Sequence, residues 1–144
     1  MDQIIIRPVI ESDLPIFYLH QADKEAARIA DFPSREEVAF YDHWHKIMAN
    51  PENILRTVLW EGQVAGNMVS FIMDGKREVG YWLGREYWGK GIASTALELF
   101  LQVVTERPLY GVTASSNPGS ARVLKKCGFE LQESSEKESI FYLK

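Results

Sequence analysis

Tyr81-Trp82-Leu83-Gly84-Arg85-Glu86-Tyr87-Trp88-Gly89-Lys90-Gly91-Ile92-Ala93 is the stretch that decides how this chain folds. A strand-like run enters a glycine-bearing loop, and the loop opens directly into an apolar run from Ile92 to about Val104. Glycine lets successive backbone N–H groups turn toward a ligand with no Cβ in the way. A helix that begins there adds unpaired N–H groups and the positive end of its dipole. Two readings stand. The segment is a pyrophosphate cradle, or it is a tight strand–helix connection whose glycines serve only the turn. It matches neither the dinucleotide fingerprint nor the nucleoside-triphosphate loop with its Lys-Ser or Lys-Thr ending.

Upstream of it, Ile54 to Trp60, Val64 to Met73 and Glu78 to Leu83 read as three strands in a meander, with turns at Glu61-Gly62-Gln63 and Asp74-Gly75. Ser34 and Glu37 have the spacing of a capping box, and Val38, Tyr41, His45 and Met48 recur behind them at helical intervals. A helix over about 35–49 follows, with His45 on its apolar stripe as a core residue. His43 faces either solvent or an acceptor cleft. Residues 21–33 are polar and Ala-rich, a loop or a frayed helical piece. Ser12 or Asp13 stands in capping position for a helix through Leu14, Phe17 and Tyr18, with Pro15 in its first turn. Ile4-Ile5-Ile6 is a short strand closed by Pro8.

Downstream, the Ile92–Val104 helix is apolar on most of its circumference, as a helix packed into the core is. Leu109 to Thr113 is a strand. Asn117-Pro118 caps and starts a helix that stops at Cys127-Gly128, and Phe129 to Leu131 and Ile140 to Leu143 are the last strands. The chain is α/β: one domain over residues 1–144, a mixed central sheet of about six or seven strands flanked by about four helices.

Composition narrows the function. The 144 residues, 46% hydrophobic and 25% charged, suit one globular domain. A formal charge of −4 argues against a nucleic-acid binder. The single cysteine, Cys127, allows no internal disulfide and no cysteine metal cage, and the three histidines leave a metal site without support. No secretory signal is visible at the start and no apolar run is long enough to span a bilayer, so a cytoplasmic protein without membrane contact is expected.

The second informative segment is Asn117-Pro118-Gly119-Ser120-Ala121-Arg122-Val123-Leu124-Lys125-Lys126-Cys127-Gly128-Phe129. By itself it is a capped amphipathic helix with a solvated basic face. Taken with the glycine loop, it carries a resemblance. Trp88 to Ala93 resembles the acyl-CoA pyrophosphate loop of the GNAT superfamily, a Gly-x-Gly or Gly-x-Ala core. Asn117 to Phe129 resembles the helix that follows it, Asn-x-x-Ser-x-Arg-Val-x-x-Lys-x-Gly-Phe. Glu78 to Leu83 fits the superfamily's fourth strand. The match covers residues 55–131 well and the first 50 only in outline, and it is nearest the branch of ribosomal-protein serine and alanine N-acetyltransferases.

The resemblance implies an acetyl-CoA-dependent N-acetyltransferase with no metal, acting on a primary amine of a small molecule or of a peptide or protein N-terminus. Pantetheine would pair with the backbone of Tyr81, Trp82 and Leu83. The phosphates would meet Trp88, Gly89, Lys90, Gly91, Ile92 and Ala93, with Asn117, Ser120, Arg122 and Lys125 completing the cofactor site. The oxyanion would meet a backbone N–H near Leu83, where the family's strand bulges. Glu78 is the candidate base, against a solvated carboxylate beside Lys76 and Arg77; Asn117 caps its helix and contacts the pantetheine or a water. The lead-in residue, often Gln or Arg, is Trp88 here. The tyrosine that protonates the leaving thiolate in many members is replaced by Leu124, which leaves Ser120 or solvent as the acid. Homodimers are common in the superfamily. An acyl-CoA-binding module without turnover, or a transferase of a longer acyl group, is the alternative.

Overall fold

The structure, a computed structural model, describes residues 3–144. Strand β1 (Ile4–Pro8) pairs antiparallel with β2 (Ile54–Trp60). Between them lie three helices, α1 (Leu14–Gln21), α2 (Lys24–Ala30) and α3 (Glu37–Ala49). Two tight hairpins then give β3 (Gln63–Met73) and β4 (Lys76–Leu83). Both turns place two successive residues at positive φ: Glu61 and Gly62 at 52° and 80°, Asp74 and Gly75 at 52° and 76°. That is the backbone twist which suits the right-handed strands on either side.

Helix α4 (Ile92–Val103) is the crossover from β4 to β5 (Leu109–Ala114), the one parallel pair in the sheet. Helix α5 (Pro118–Lys126) leads to β6 (Glu130–Ser134) and β7 (Glu138–Leu143). The seven strands lie in the order β1-β2-β3-β4-β5-β7-β6. On one face, α4 and α5 bury Ile92, Leu97, Phe100 and Leu124 against Met68, Val79 and Phe141. On the other, α1 and α3 bury Leu14, Phe17, Phe40 and Trp44 against Leu55 and Val69. Each such side chain contributes about 1.5–3 kcal/mol on leaving water.

The N-terminal segment departs from its expected details. Ser34 does not cap α3: Glu36 holds the cap position and makes no side-chain cap bond, while Ser34 Oγ donates to the Gln21 carbonyl at 2.7 Å. The α3 stripe is rotated from the expected one. Phe40 and Trp44 face the sheet, so His45, one residue past Trp44, turns outward and meets Glu11 Oε1 at 2.7 Å, and Val38 is exposed. His43 is half-buried. Residues 24–30 form the regular helix α2, with the Asp23 carboxylate accepting from the N–H groups of Glu25 and Ala26 at 3.0 and 3.3 Å.

Asp13 precedes α1 but its carboxylate is not a cap. It takes two bonds of 2.8 Å from the Arg7 guanidinium, one of 3.0 Å from the Ile10 N–H and one of 2.6 Å from Thr57 Oγ. Burial alone would raise its pKa; these donors outweigh the burial and hold it below the ordinary carboxylate value.

Candidate active site

Strands β4 and β5 pair only at Glu78 with Tyr110 and at Val79 with Gly111, then part. From Gly80 to Leu83 the β5 side of β4 has no strand partner, and a strand edge with free N–H and C=O groups accepts another extended chain. The register between β3 and β4 runs without a slip to Gly66 opposite Leu83, so the bulge expected near Leu83 is not there. It lies one strand away, where Ala65 of β3 is the extra residue between the pairs Val58–Gly66 and Leu59–Val64. Gly66 explains why β3 stays tight on β4: a Cβ there would sit 2.2 Å from the Trp82 carbonyl oxygen and 2.8 Å from Leu83 Cα. The open edge comes from the divergence of β5, not from a bulge in β4.

Beyond Leu83 the chain makes one 3-10 turn, Arg85–Tyr87, and enters the glycine loop. Trp88 Nε1 donates to the Leu83 carbonyl at 3.1 Å and pins the loop to the strand end. Gly89 and Gly91 have φ of 74° and 77°, and a Cβ built on either meets nothing within 4 Å. The left-handed backbone costs a non-glycine residue about 1 kcal/mol. A Cβ at either position would point into open space rather than against the protein, and both glycines line the cavity that opens between β4 and β5. Gly91 is also the N-cap of α4, and its neighbour Ile92 anchors the helix in the core.

The gap between β4 and β5 opens into a cavity of about 500 Å³. Its strand side is Tyr81, Trp82 and Leu83, and its loop side is Trp88, Gly89, Gly91, Ile92 and Ala93. Helix α5 contributes Asn117, Ser120 and Arg122 at the far wall. Lys90 and Lys125 are directed elsewhere, their ammonium groups 5.8 Å and 5.9 Å from the ring centroids of Trp60 and Phe141. Lys126, one residue on, lines the cavity instead.

Two further lining residues, Ala26 and Ala30, come from α2. This helix spans the gap and is tied at both ends. At its start Asp23 Oδ2 accepts from Arg85 Nε at 2.8 Å; at its end Ser116 Oγ donates to the Ile29 carbonyl at 2.6 Å. Of the two readings of residues 21–33, loop or frayed helical piece, the helical one holds, and the helix is regular over Lys24–Ala30. The usable signal was Asp23 ahead of Lys24-Glu25-Ala26-Ala27, a capping residue before strong helix formers.

On α5, Asn117 Oδ1 accepts from the Ser120 N–H at 3.2 Å, and Ser120 Oγ accepts from the Tyr81 hydroxyl at 3.2 Å. Tyr81 and Glu78 are an odd number of residues apart on one strand, so they project from opposite faces. Glu78 does not line the cavity; it is half-buried on the face that carries Trp82. Burial raises its pKa, the Asp74 and Glu138 carboxylates push the same way, and Lys76 opposes them. Beside the gap, His20 is buried against Gly84, where a Cβ would lie 2.7 Å from the imidazole Cδ2 and Nε2. Among the described residues no group of His, Cys, Asp and Glu is placed to hold a metal, and no helix is long and apolar enough to cross a membrane.

No curated protein is similar enough in sequence to match the chain. Solved structures share its fold along nearly the whole length. An acetyltransferase of the GNAT family from Bacillus anthracis superposes with a TM-score of 0.80 at 18% identity, over 98% of this chain and 94% of its own. RimL, a ribosomal L7/L12 alpha-N-protein acetyltransferase in complex with coenzyme A, gives 0.81 at 15%, over 97% and 93%. Spermidine N-acetyltransferase from Vibrio cholerae, in complex with CoA and spermine, gives 0.82 at 15%, over 98% and 95%. The acetyltransferase (GNAT) domain family matches residues 3–130. The chain belongs to the GNAT acetyltransferase family.

Proposed function

We propose that the protein is an N-acetyltransferase that moves the acetyl group of acetyl-CoA to a primary amine, of a small molecule or of a peptide or protein N-terminus. The observation that carries this reading is the parting of β4 and β5 with a glycine cradle at its end. A pantetheine arm is an extended, amide-bearing chain, and the unpaired edge from Gly80 to Leu83 offers it strand-like hydrogen bonds. Its pyrophosphate suits the N–H groups around Gly89 and Gly91 and the N-terminus of α4. Acetyl-CoA supplies an activated acyl carbon; the protein orients it and handles the protons.

In that arrangement Leu83, at the end of the free edge, presents its backbone N–H toward the developing oxyanion. Glu78 takes a proton from the amine, directly or through water. Its raised pKa makes its carboxylate a stronger base than an ordinary glutamate. The acceptor approaches from the Glu78 face and the thiol leaves on the Tyr81 face. Structural relatives of both kinds are named, one a spermidine N-acetyltransferase and the other an alpha-N-protein acetyltransferase.

Thermal unfolding with and without acetyl-CoA tests the cofactor half, with adenosine 3′,5′-bisphosphate as fragment control. At a hundred times the dissociation constant the gain is about 2.7 kcal/mol, a shift of several degrees for this size. No shift at millimolar acetyl-CoA sinks the proposal. Thiol release with a panel of polyamines, amino-sugar amines and short peptides then finds the acceptor. Leu124 motivates the second reading, a module that binds acetyl-CoA without turnover. It predicts the thermal shift and no release with any amine.

A further inference from the structure

Where many members of the superfamily place a tyrosine on the helix corresponding to α5, this chain has Leu124, and the structure puts that side chain out of play. Leu124 is 3% exposed and packs on β5, so close to Gly111 that a Cβ there would lie 3.0 Å from its Cδ1. A phenol is nevertheless present in the cavity. It comes from β4: Tyr81 is on the strand face that carries Val79 and Leu83, and its ring reaches across the gap to α5.

The hydrogen bonds there have a direction. The Tyr81 hydroxyl donates to Ser120 Oγ at 3.2 Å. The backbone N–H of Ser120 is taken by Asn117 Oδ1, which fixes the first turn of α5 and with it the serine. Ser120 Oγ therefore already accepts a hydrogen bond, and its own proton is free to point into the cavity that both residues line. The Cys127 thiol, at the C-cap of the same helix, is engaged with the Ser94 carbonyl at 3.4 Å.

The geometry points to Tyr81 and Ser120 as a two-hydroxyl relay that protonates the departing CoA sulfur, Ser120 as the residue in contact and Tyr81 as the positioning residue behind it. This rests on the acetyl-CoA reading above. As the amine nitrogen bonds to the acyl carbon, the carbon–sulfur bond breaks and its electron pair stays on sulfur. The sulfur takes the Ser120 proton, Ser120 takes the Tyr81 proton, and the proton shed by the amine returns to Tyr81 through solvent. Amine and thioester become amide and thiol with no net proton change. Burial raises the Tyr81 pKa, Cys127 adds to the rise, and the Ser120 bond offsets only part of it, so the phenol keeps its proton through neutral pH.

The test needs no acceptor. CoA itself is bound to the protein and its thiol titrated by thiolate absorbance, in the unmodified protein, Tyr81→Phe, Ser120→Ala and the double variant. A hydroxyl donating to sulfur stabilises the thiolate, so bound CoA should titrate about one pH unit lower in the unmodified protein than in either variant. The double variant should match Ser120→Ala alone, because removing the second member of a relay whose first is gone costs nothing more. Additive shifts, or a thiol that titrates identically in Tyr81→Phe and the unmodified protein, overturn the relay while leaving the acetyl-CoA reading intact. Ser120→Ala, which keeps the aromatic ring in place, is the check if Tyr81→Phe folds poorly; an unshifted thiol there overturns it equally. Failure of the unmodified protein to bind CoA overturns the acetyl-CoA reading and the relay with it.

Discussion

The stretch from β4 to α5 and the stretch from α1 to α3 meet at the cavity, where α2 supplies Ala26 and Ala30, and they are built on different principles. The first makes its site from neighbours in sequence. The free edge of β4, the loop after it and the N-terminus of α4 are one continuous run, shaped by backbone conformation. The second is held in place from far away. Asp13 reaches Thr57, Asp23 reaches Arg85, and the carbonyl of Ile29 reaches Ser116. Backbone sites depend on φ and ψ, which glycines advertise; side-chain ties depend on partners that only folding brings together.

That contrast can be broken experimentally, most severely at Asp13. Asp13→Ala leaves Arg7, the Ile10 N–H and Thr57 without their acceptor, and should cost about 3–5 kcal/mol in urea unfolding while sparing the glycine loop. The sign with pH is fixed by the lowered pKa: the contribution is full above the unfolded-state value near 3.8 and is lost as pH falls through the folded one. A stable Asp13→Ala would mean the N-terminal segment is not held by this network. Next comes Gly66→Ala at the seam, where the Cβ would collide with backbone atoms of Trp82 and Leu83. It should destabilise by about 1–3 kcal/mol, and the strain should also disturb the free edge of β4, raising KM for acetyl-CoA.

Gly91→Ala sharpens the comparison from the other side. Its Cβ meets no protein atom, so the folding cost is only the left-handed backbone, about 1 kcal/mol. If the cradle holds pyrophosphate, acetyl-CoA affinity should fall at least about tenfold by calorimetry, out of proportion to that cost. The smallest effect belongs to Arg85→Ala. The Asp23–Arg85 pair is partly exposed, so stability should change by less than about 1 kcal/mol, while proteolysis between α1 and α2 should speed up.

The same contrast explains what the sequence made legible. The strand–loop–helix run and the Asn117-to-Phe129 helix were readable because each signal is local: a glycine where φ is positive, an asparagine before a proline, a glycine after the last turn. The rotated stripe of α3 was not, because Val38 and His45 fit a helical period as well as Phe40 and Trp44 do, and only the sheet beneath selects between them. Ser34 fitted a capping box equally well until Gln21 offered it a buried carbonyl. The Tyr81–Ser120 bond joins residues 39 positions apart, and nothing in either motif says that they meet. The parting of β4 and β5 was invisible for the same reason.

Helix α2 is a bridge moored on both banks, at Arg85 and at Ser116, with two alanines for its underside. Both moorings are exposed hydrogen bonds, so water competes for each of them, and the roof over the cavity is fastened far less firmly than the core beneath it.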